Sequence, residues 1–235
     1  MNHTNYMKRG KKYRAVEKKI DRSKVYPLEE AVKVIKENKI AKFDEAVEVH
    51  IKTNIDTKKG DQQIRGIVDL PHGTGKSKII AVITSTHAKD AKEAGADIVG
   101  GEEFIEKIKS GKAFSGKDKF DILVATPEMM PKLAPVAKIL GPKGLMPNPK
   151  TETVTTKIKE TVSALKKGKA SFKNDDGGNI HQVVGKVSFE DAKLIENITT
   201  LITSLEKSKP ATLKGKLISS ITVCSTMGVG LKISL

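Results

Sequence analysis

The sequence predicts an α+β domain assembled from both ends of the chain, with a compact α/β domain inserted between them. Three observations lead there. Apolar and polar residues alternate at 43–52 and again near 217–223, the period of a half-buried strand. Between residues 79 and 125 short apolar strands alternate with short helices, as in a parallel βαβ layer. Where the first style gives way to the second, Pro71-His72-Gly73-Thr74-Gly75-Lys76 breaks every pattern. The expected units are 1–68 with 159–235, and 69–158, joined by two crossings that form a double-stranded hinge containing Pro71, Gly73 and Gly75.

In order along the chain, residues 8–24 form a basic arm, helical when docked. Tyr26-Pro27-Leu28-Glu29-Glu30 starts a helix, with Pro at an early position and carboxylates in the first turn. Leu28, Ala31, Val32 and Ile35 carry it to Asn38. Phe43, Val47, Val49 and Ile51 then share one strand face, and Glu48, His50 and Lys52 the other. A turn at 54–61 leads to a strand through Ile67 and Leu70. Ile79 to Ile83 is a continuous apolar run of the buried type. Helices at 87–94 and 102–109 alternate with strands at 97–99 and 120–125, and Thr126-Pro127-Glu128 reads as a helix cap. Six of the nine prolines fall between Pro127 and Pro149, so that segment is punctuated, with one short helix from Ala134 to Leu140. Val154, Ile158, Val162 and Leu165 define the next helix. Residues 169–174 and 181–187 read as strands of a hairpin around Asp175-Asp176-Gly177-Gly178. Ser188-Phe189-Glu190-Asp191 resembles a capping box before a helix carried by Leu194, Ile198, Leu201 and Leu205. The last strand runs from Leu217, turns at Thr226-Met227-Gly228, and returns from Val229 to Ile233.

The chain of 235 residues carries 43 Lys and Arg against 28 Asp and Glu, a formal charge of +15. Such an excess attracts a polyanion, most simply nucleic acid, and says little about fold. Residues 1–24 hold nine basic and two acidic groups, whereas 67–158 hold 14 and 11, so the ends rather than the middle meet the partner. Anionic membrane competes less well, because no basic stretch carries a broad apolar face at helical spacing. No apolar run approaches 18 residues, and the first 24 residues lack the apolar core of a secretory signal. The single cysteine, Cys224, excludes an internal disulfide and suits a reducing compartment such as the cytoplasm.

Gly73-Thr74-Gly75-Lys76-Ser77 looks like part of a phosphate-binding loop, but Leu70 stands where that loop needs Gly, and a strand rather than a helix is expected next. Nucleotide chemistry in the middle layer is therefore the weaker alternative, and the chain is read as a non-enzyme without a cofactor. The histidines, His3, His50, His72, His87 and His181, show no metal-ligand spacing, so no metal is expected. The hydroxyl-lined outer face of the last strand, Ser220, Thr222 and Thr226, suits phosphate and 2′-hydroxyl partners, though a solvated hairpin looks the same. Lys166, Lys167, Lys169, Lys173 and Lys186 add a basic field beside Asn174 and His181.

A more specific signal lies in Lys138-Ile-Leu-Gly-Pro-Lys-Gly-Leu-Met-Pro-Asn-Pro-Lys150. It is joined by Arg65-Gly66, Leu70 to Lys76, Phe172-Lys173-Asn174, Ile180-His181, Val184-Gly185-Lys186 and Thr226-Met227-Gly228. Together these resemble the landmarks of the ribosomal protein L1 family, bacterial type, in family order. The resemblance implies a discontinuous RNA-binding domain with an inserted three-layer, Rossmann-like domain. It implies a structural constituent of the large ribosomal subunit that binds large-subunit rRNA and forms the mobile stalk near the exit site. Partners are then exit-site tRNA, whose release it assists, the rest of the ribosome, and its own operon mRNA, which it represses. Off the ribosome it is expected to be a monomer. Carried over by position, the RNA-binding residues are Lys42, Phe43, Glu48, Lys173, Asn174, His181, Gly185, Lys186, Ser220, Thr222, Thr226, Met227 and Gly228. Ala46 and Val229 stand where many relatives carry Thr and Pro.

Overall fold

The fold, taken from a computed structural model, is described for residues 9–114 and 119–234. It is a mixed α/β architecture of two compact units. The first draws on the described residues through Ile64, on Leu70–Gly75, and on those from Phe172 onward. The second comprises Arg65–Asp69 and Lys76–Ser171. The chain thus changes unit after residues 64, 69, 75 and 171, not near 68 and 158. The part of the basic arm before residue 9, with His3, lies outside the described residues; the rest contains the short helix α1 (Lys11–Glu17).

The first unit is built on a five-stranded sheet. Its strands are β1 (Val25–Pro27), β2 (Ala46–Thr53), β8 (Asn179–Lys186), β9 (Ile218–Ser225) and β10 (Leu231–Ser234), in the order β1-β10-β9-β2-β8. All neighbours are antiparallel except β1 and β10. The strand at Val25–Pro27 is invisible to periodicity because three residues cannot display an alternation. Two helices, α2 (Leu28–Glu37) and α8 (Asp191–Lys207), pack on each other and cover one face of the sheet. Period-two alternation explains the choice of face: Val47, Val49 and Ile51 of β2 and Ile221 and Val223 of β9 are buried under the helices. Leu194, Ile198, Leu201 and Leu205 of α8 meet them, all fully buried.

The capping box expected at Ser188 does not form. Glu190 takes the N-cap position without a side-chain cap, and the Ser188 hydroxyl donates instead to Asp44 at 2.9 Å. Lys36 from α2 holds the start of α8 through Asp191 and the Phe189 carbonyl. The loop Leu70–Gly75 is fastened rather than loose. Fully buried Asn197 of α8 accepts from the His72 N–H (3.2 Å) and donates to the carbonyls of Gly73 (3.0 Å) and Val184 (2.7 Å). Gly73 and Gly75 have φ of 62° and 70°, and a Cβ on Gly75 would lie 2.8 Å from Lys186 Cγ. Pro71, Gly73 and Gly75 are thus pinned within the first unit.

The second unit centres on β4 (Ile80–Ile83), every residue of which is buried, between β5 (Ile98–Gly100) and β6 (Ile122–Ala125), all parallel. Helices α3 (Ala88–Glu93) and α7 (Ile158–Lys167) close one face through Ala91, Ile158, Val162 and Leu165. The other face is closed by α4 (Glu102–Lys109), α5 (Met130–Leu133) and α6 (Ala137–Leu140), with Phe104, Ile108, Leu133 and Leu140. Apolar residues on both faces of β4 and β6 explain their unbroken apolar sequence. Thr126 and Pro127 begin a 3-10 turn rather than an α-helix, and the buried Thr126 hydroxyl has no partner. After Lys76 the chain runs extended into β4, so the Gly-Thr-Gly-Lys-Ser stretch opens no helix.

A separate two-stranded ribbon pairs β3 (Arg65–Asp69) with β7 (Lys169–Lys173). The expected hairpin of 169–174 with 181–187 is therefore only a turn. Past the single bridge Asn174–Ile180 the two strands enter different sheets.

Candidate nucleic-acid interface

The face of the five-stranded sheet opposite the helices carries the polar half of each alternation. Pairing register sets its rows. Lys232, Thr222, His50 and His181 face one another across four strands, from β10 to β8. Beside them lie Cys224, Glu48 and Val183, and on the other side Ser220, Lys52 and Asn179. The sheet thereby gathers hydroxyls, imidazoles, a carboxylate and two ammonium groups on one surface, a set able to meet phosphates, 2′-hydroxyls and base edges.

One end of this face is framed by two loops. The segment 38–45 precedes β2, and the turn at Thr226, Met227 and Gly228 follows β9. Glu45, fully buried, ties them together. Its carboxylate accepts from the backbone N–H groups of Ile40 (3.1 Å), Ala41 (2.7 Å) and Met227 (3.2 Å). Burial opposes its charge, but hydrogen bonds from the Ser225 hydroxyl and these amides outweigh that and hold its pKa below the ordinary value. Thr226 adds a second tie. Its Oγ1 accepts from Ala46 N–H (3.0 Å) and its own N–H donates to the Ala46 carbonyl (3.0 Å). Gly228 donates to the Ser225 carbonyl, and a Cβ there would lie 2.4 Å from Ser225 Oγ, so a side chain would force Ser225 to shift. The two loops so fixed expose Phe43 (55%) and Met227 (52%), two of the four exposed large apolar side chains among the described residues. Rigidly held apolar groups beside a polar face are what unstacked bases and riboses pack against.

The middle of the face is a run of titratable groups. His50 Nε2 lies 3.1 Å from Cys224 Sγ, His50 Nδ1 lies 2.8 Å from His181 Nδ1, and His181 Nε2 lies 3.3 Å from Asp175 Oδ2. Burial, together with the His181 ring, lowers the His50 pKa, with Glu48 at 3.9 Å opposing. Burial pushes the Cys224 thiol up to about 11, and Glu48 adds to that. Hydrogen bonds from the Asn179 backbone and side chain hold the Asp175 carboxyl at about 2.

With this geometry in hand, comparison with known proteins is decisive. The model of the ribosomal protein L1p/L10e family matches residues 35–229, which include both framing loops and every strand of the open face except β1 and β10. The chain belongs to that family. It is 52% identical over 228 residues to the large ribosomal subunit protein uL1 of Phytoplasma australiense, covering 97% of each chain. It is 49% identical over 226 residues to the protein of the same name from Mesoplasma florum, covering 96% of this chain and 98% of the other. The corresponding protein of Mycoplasma capricolum is 50% identical over 224 residues, covering 95% and 97%. The family is one of ribosomal proteins and not of enzymes, as expected from the sequence.

In this family member the expected site residues fall into two groups. Glu48, His181, Ser220 and Thr222 share the open face, and Lys42, Phe43, Thr226, Met227 and Gly228 lie in the framing loops. Phe43 belongs to the loop and is exposed, not part of the buried face of β2, because the strand begins only at Ala46. The hydroxyl of Thr226 is spent on Ala46, so that residue shapes the turn rather than offering a free donor.

The remaining four expected residues are placed differently. Asn174 is 6% exposed and its amide bonds the Ile64 N–H and the Asp175 carbonyl, so it clamps the chain internally. Gly185 is buried on the helix side, where a Cβ would lie 2.7 Å from Leu194 Cδ2. Lys186 points to the Asp44 carbonyl (3.2 Å), and Lys173 is exposed at the end of β7, outside the five-stranded sheet. Lys166 and Lys169 belong to the second unit and pair there with Asp97 and Glu152. The lysines of the expected field thus divide between the two units.

His50, Lys52, Cys224 and Lys232 were missing from the expected site. Alternation alone had placed His50 and Lys52 beside Glu48, and that was the signal that could have found them. Glu45 carried no such signal. Among the described residues no group of three or more His, Cys, Asp or Glu is placed to hold a metal, and no helix is long and apolar enough to cross a membrane.

Proposed function

We propose that this chain is a constituent of the large ribosomal subunit, in the cytoplasm, and binds large-subunit rRNA through the open face of its five-stranded sheet and the two loops framing it. The observation that carries this reading is the conjunction of a polar, hydrogen-bonding surface with Phe43 and Met227 held exposed at its end. The names of the related proteins supply the ribosomal context. Recognition is then by RNA shape: Ser220, Thr222 and Glu48 address 2′-hydroxyls and base edges, while Lys42, Lys52 and Lys232 add a salt-dependent term. On this reading the first unit, drawn from both ends of the chain, is the RNA-binding domain. The second is the inserted domain, which completes the mobile stalk near the exit site and assists release of deacylated tRNA. Binding to an element of its own operon mRNA that presents the same shape gives translational repression, and the protein acts as a monomer off the ribosome.

The test is a binding titration at several salt concentrations against the stalk fragment of large-subunit rRNA and a scrambled duplex of equal length. Preference for the stalk fragment that persists at high salt is the expected result. Equal affinities that fall together with salt leave only a lysine-rich polyanion binder. Competition between the rRNA fragment and the operon mRNA element then tests the repressor role, since one shared site demands mutual displacement.

A further inference from the structure

We infer that Cys224, His50, His181 and Asp175 form a one-way hydrogen-bond chain across the open face, in which His50 is a positioning residue that fixes the His181 imidazole in one tautomer and leaves its ring face as the RNA contact. The chain stands on the geometry of the face; the RNA contact rests on the proposed function.

The two Nδ1 atoms lie 2.8 Å apart. Imidazole nitrogens at that distance share a single proton, because two N–H groups repel and so do two lone pairs. One ring donates and the other accepts, and the ends of the chain decide which. At one end Asp175 is a carboxylate, held so by the Asn179 N–H at 2.6 Å and side-chain amide at 3.0 Å, and it can only accept. His181 Nε2 must therefore carry a proton; in the neutral ring Nδ1 is then bare and His50 is the donor. His50 Nε2 is then bare too, and it faces the Cys224 thiol at 3.1 Å, which stays protonated and donates. Reversing the chain would set a bare His181 Nε2 lone pair against the Asp175 carboxylate.

The remaining charged groups on this face leave the direction unchanged. Glu48, at 3.9 Å from His50 Nε2, lies beyond hydrogen-bonding range. Lys52, one alternation away on β2, is turned to the Gly177 carbonyl at 2.6 Å. Lys232 reaches the row from β10, on the far side of Thr222.

All four ring nitrogens are thus spent inside the protein. The His181 side chain is still 52% exposed, and its ring stands edge-on to His50, with centroids 5.0 Å apart and planes at 62°. What it offers a partner is a flat face of fixed orientation, suited to stacking on a base or ribose.

Imidazole nitrogen NMR of the full chain at neutral pH tests the chain directly. His50 is expected as the Nδ1–H tautomer and His181 as the Nε2–H tautomer, each with one protonated and one bare nitrogen resonance. Averaged resonances, or both rings as Nε2–H, overturn it. Titration with the stalk rRNA fragment tests the contact. Cys224→Ala removes the end donor, so affinity falls about fivefold, the worth of one hydrogen bond, and Cys224→Ser restores it to within about twofold. His181→Phe keeps the ring face and most of the affinity, whereas His181→Gln keeps polar atoms and loses it. Stronger binding by the Gln variant than by the Phe variant overturns the ring-face contact. Wild-type protein that binds stalk and scrambled RNA equally overturns the functional reading and the contact with it, while the nitrogen resonances still decide the chain by themselves.

Discussion

Replacing Glu45 by alanine removes the acceptor of three backbone N–H groups and one hydroxyl from a site with no solvent access. Hydrogen bonds to a charged acceptor contribute about 1.5–3 kcal/mol each, and leaving a buried donor unpaired costs about 1–3 kcal/mol. Allowing water to reach some of the freed amides, the expected loss is about 3 kcal/mol, read by urea denaturation with far-UV circular dichroism. The pH dependence has a definite sign. Glu45 has its pKa depressed in the fold, so its contribution is complete above the ordinary value of 4.5 and is lost as pH falls through the folded pKa. The gap between wild type and Glu45→Gln should therefore be full at pH 7 and shrink on acidification below 4.5. Because the carboxylate also fixes the loops bearing Phe43 and Met227, affinity for the stalk rRNA fragment should drop about tenfold in either variant, under conditions where the fold is retained. A destabilisation below about 0.5 kcal/mol, or a gap that widens in acid, refutes the clamp.

Three further changes separate scaffold from surface. Met227→Asp should leave urea denaturation unchanged and weaken stalk binding by at least about tenfold, since it puts a carboxylate where an exposed apolar side chain meets a polyanion; unchanged affinity removes Met227 from the interface. Gly185→Ala forces a Cβ to 2.7 Å from Leu194 and should cost about 1–3 kcal/mol of stability by the same denaturation assay, with RNA affinity intact once folded. Asn197→Ala strips two hydrogen bonds from the loop at 70–75 and one from the Val184 carbonyl, and should cost about 2–3 kcal/mol, with limited proteolysis opening first within that loop.

Periodicity made most elements legible, because burial of one or both faces writes itself into every second residue or every third and fourth. The run Ile80–Ile83 is the clear case: helices on both sides of its sheet require an unbroken apolar string. Pairing is what periodicity cannot report. The segments at 169–174 and 181–187 look like hairpin partners because a good turn joins them, yet β7 bonds to β3, more than a hundred residues earlier. The same limit governs the site. Ser220, Thr222, Glu48 and His181 are outward residues of alternating strands, and family landmarks pointed to them. Cys224 is only a lone cysteine in the sequence until the register brings it beside Glu48 and His50. Glu45 breaks no pattern at all; only the folded loops reveal a buried carboxylate. Asn174 and Gly185 lie within recognisable motifs, and the fold uses them for internal clamping and helix packing, which no motif announces.

The parallel pairing of β1 with β10 places residues 25–27 against 232–234. During synthesis, β1 must wait for a strand made about two hundred residues later before its edge is satisfied. The second unit faces no such delay, since its parts all lie between residues 65 and 171. It can close around its sheet while the strands of the final hairpin are still untranslated. The open face, with His50 on β2 and Thr222 on β9, cannot exist until β9 has been translated. A nascent chain therefore carries a finished α/β core well before it has any surface with which to hold RNA.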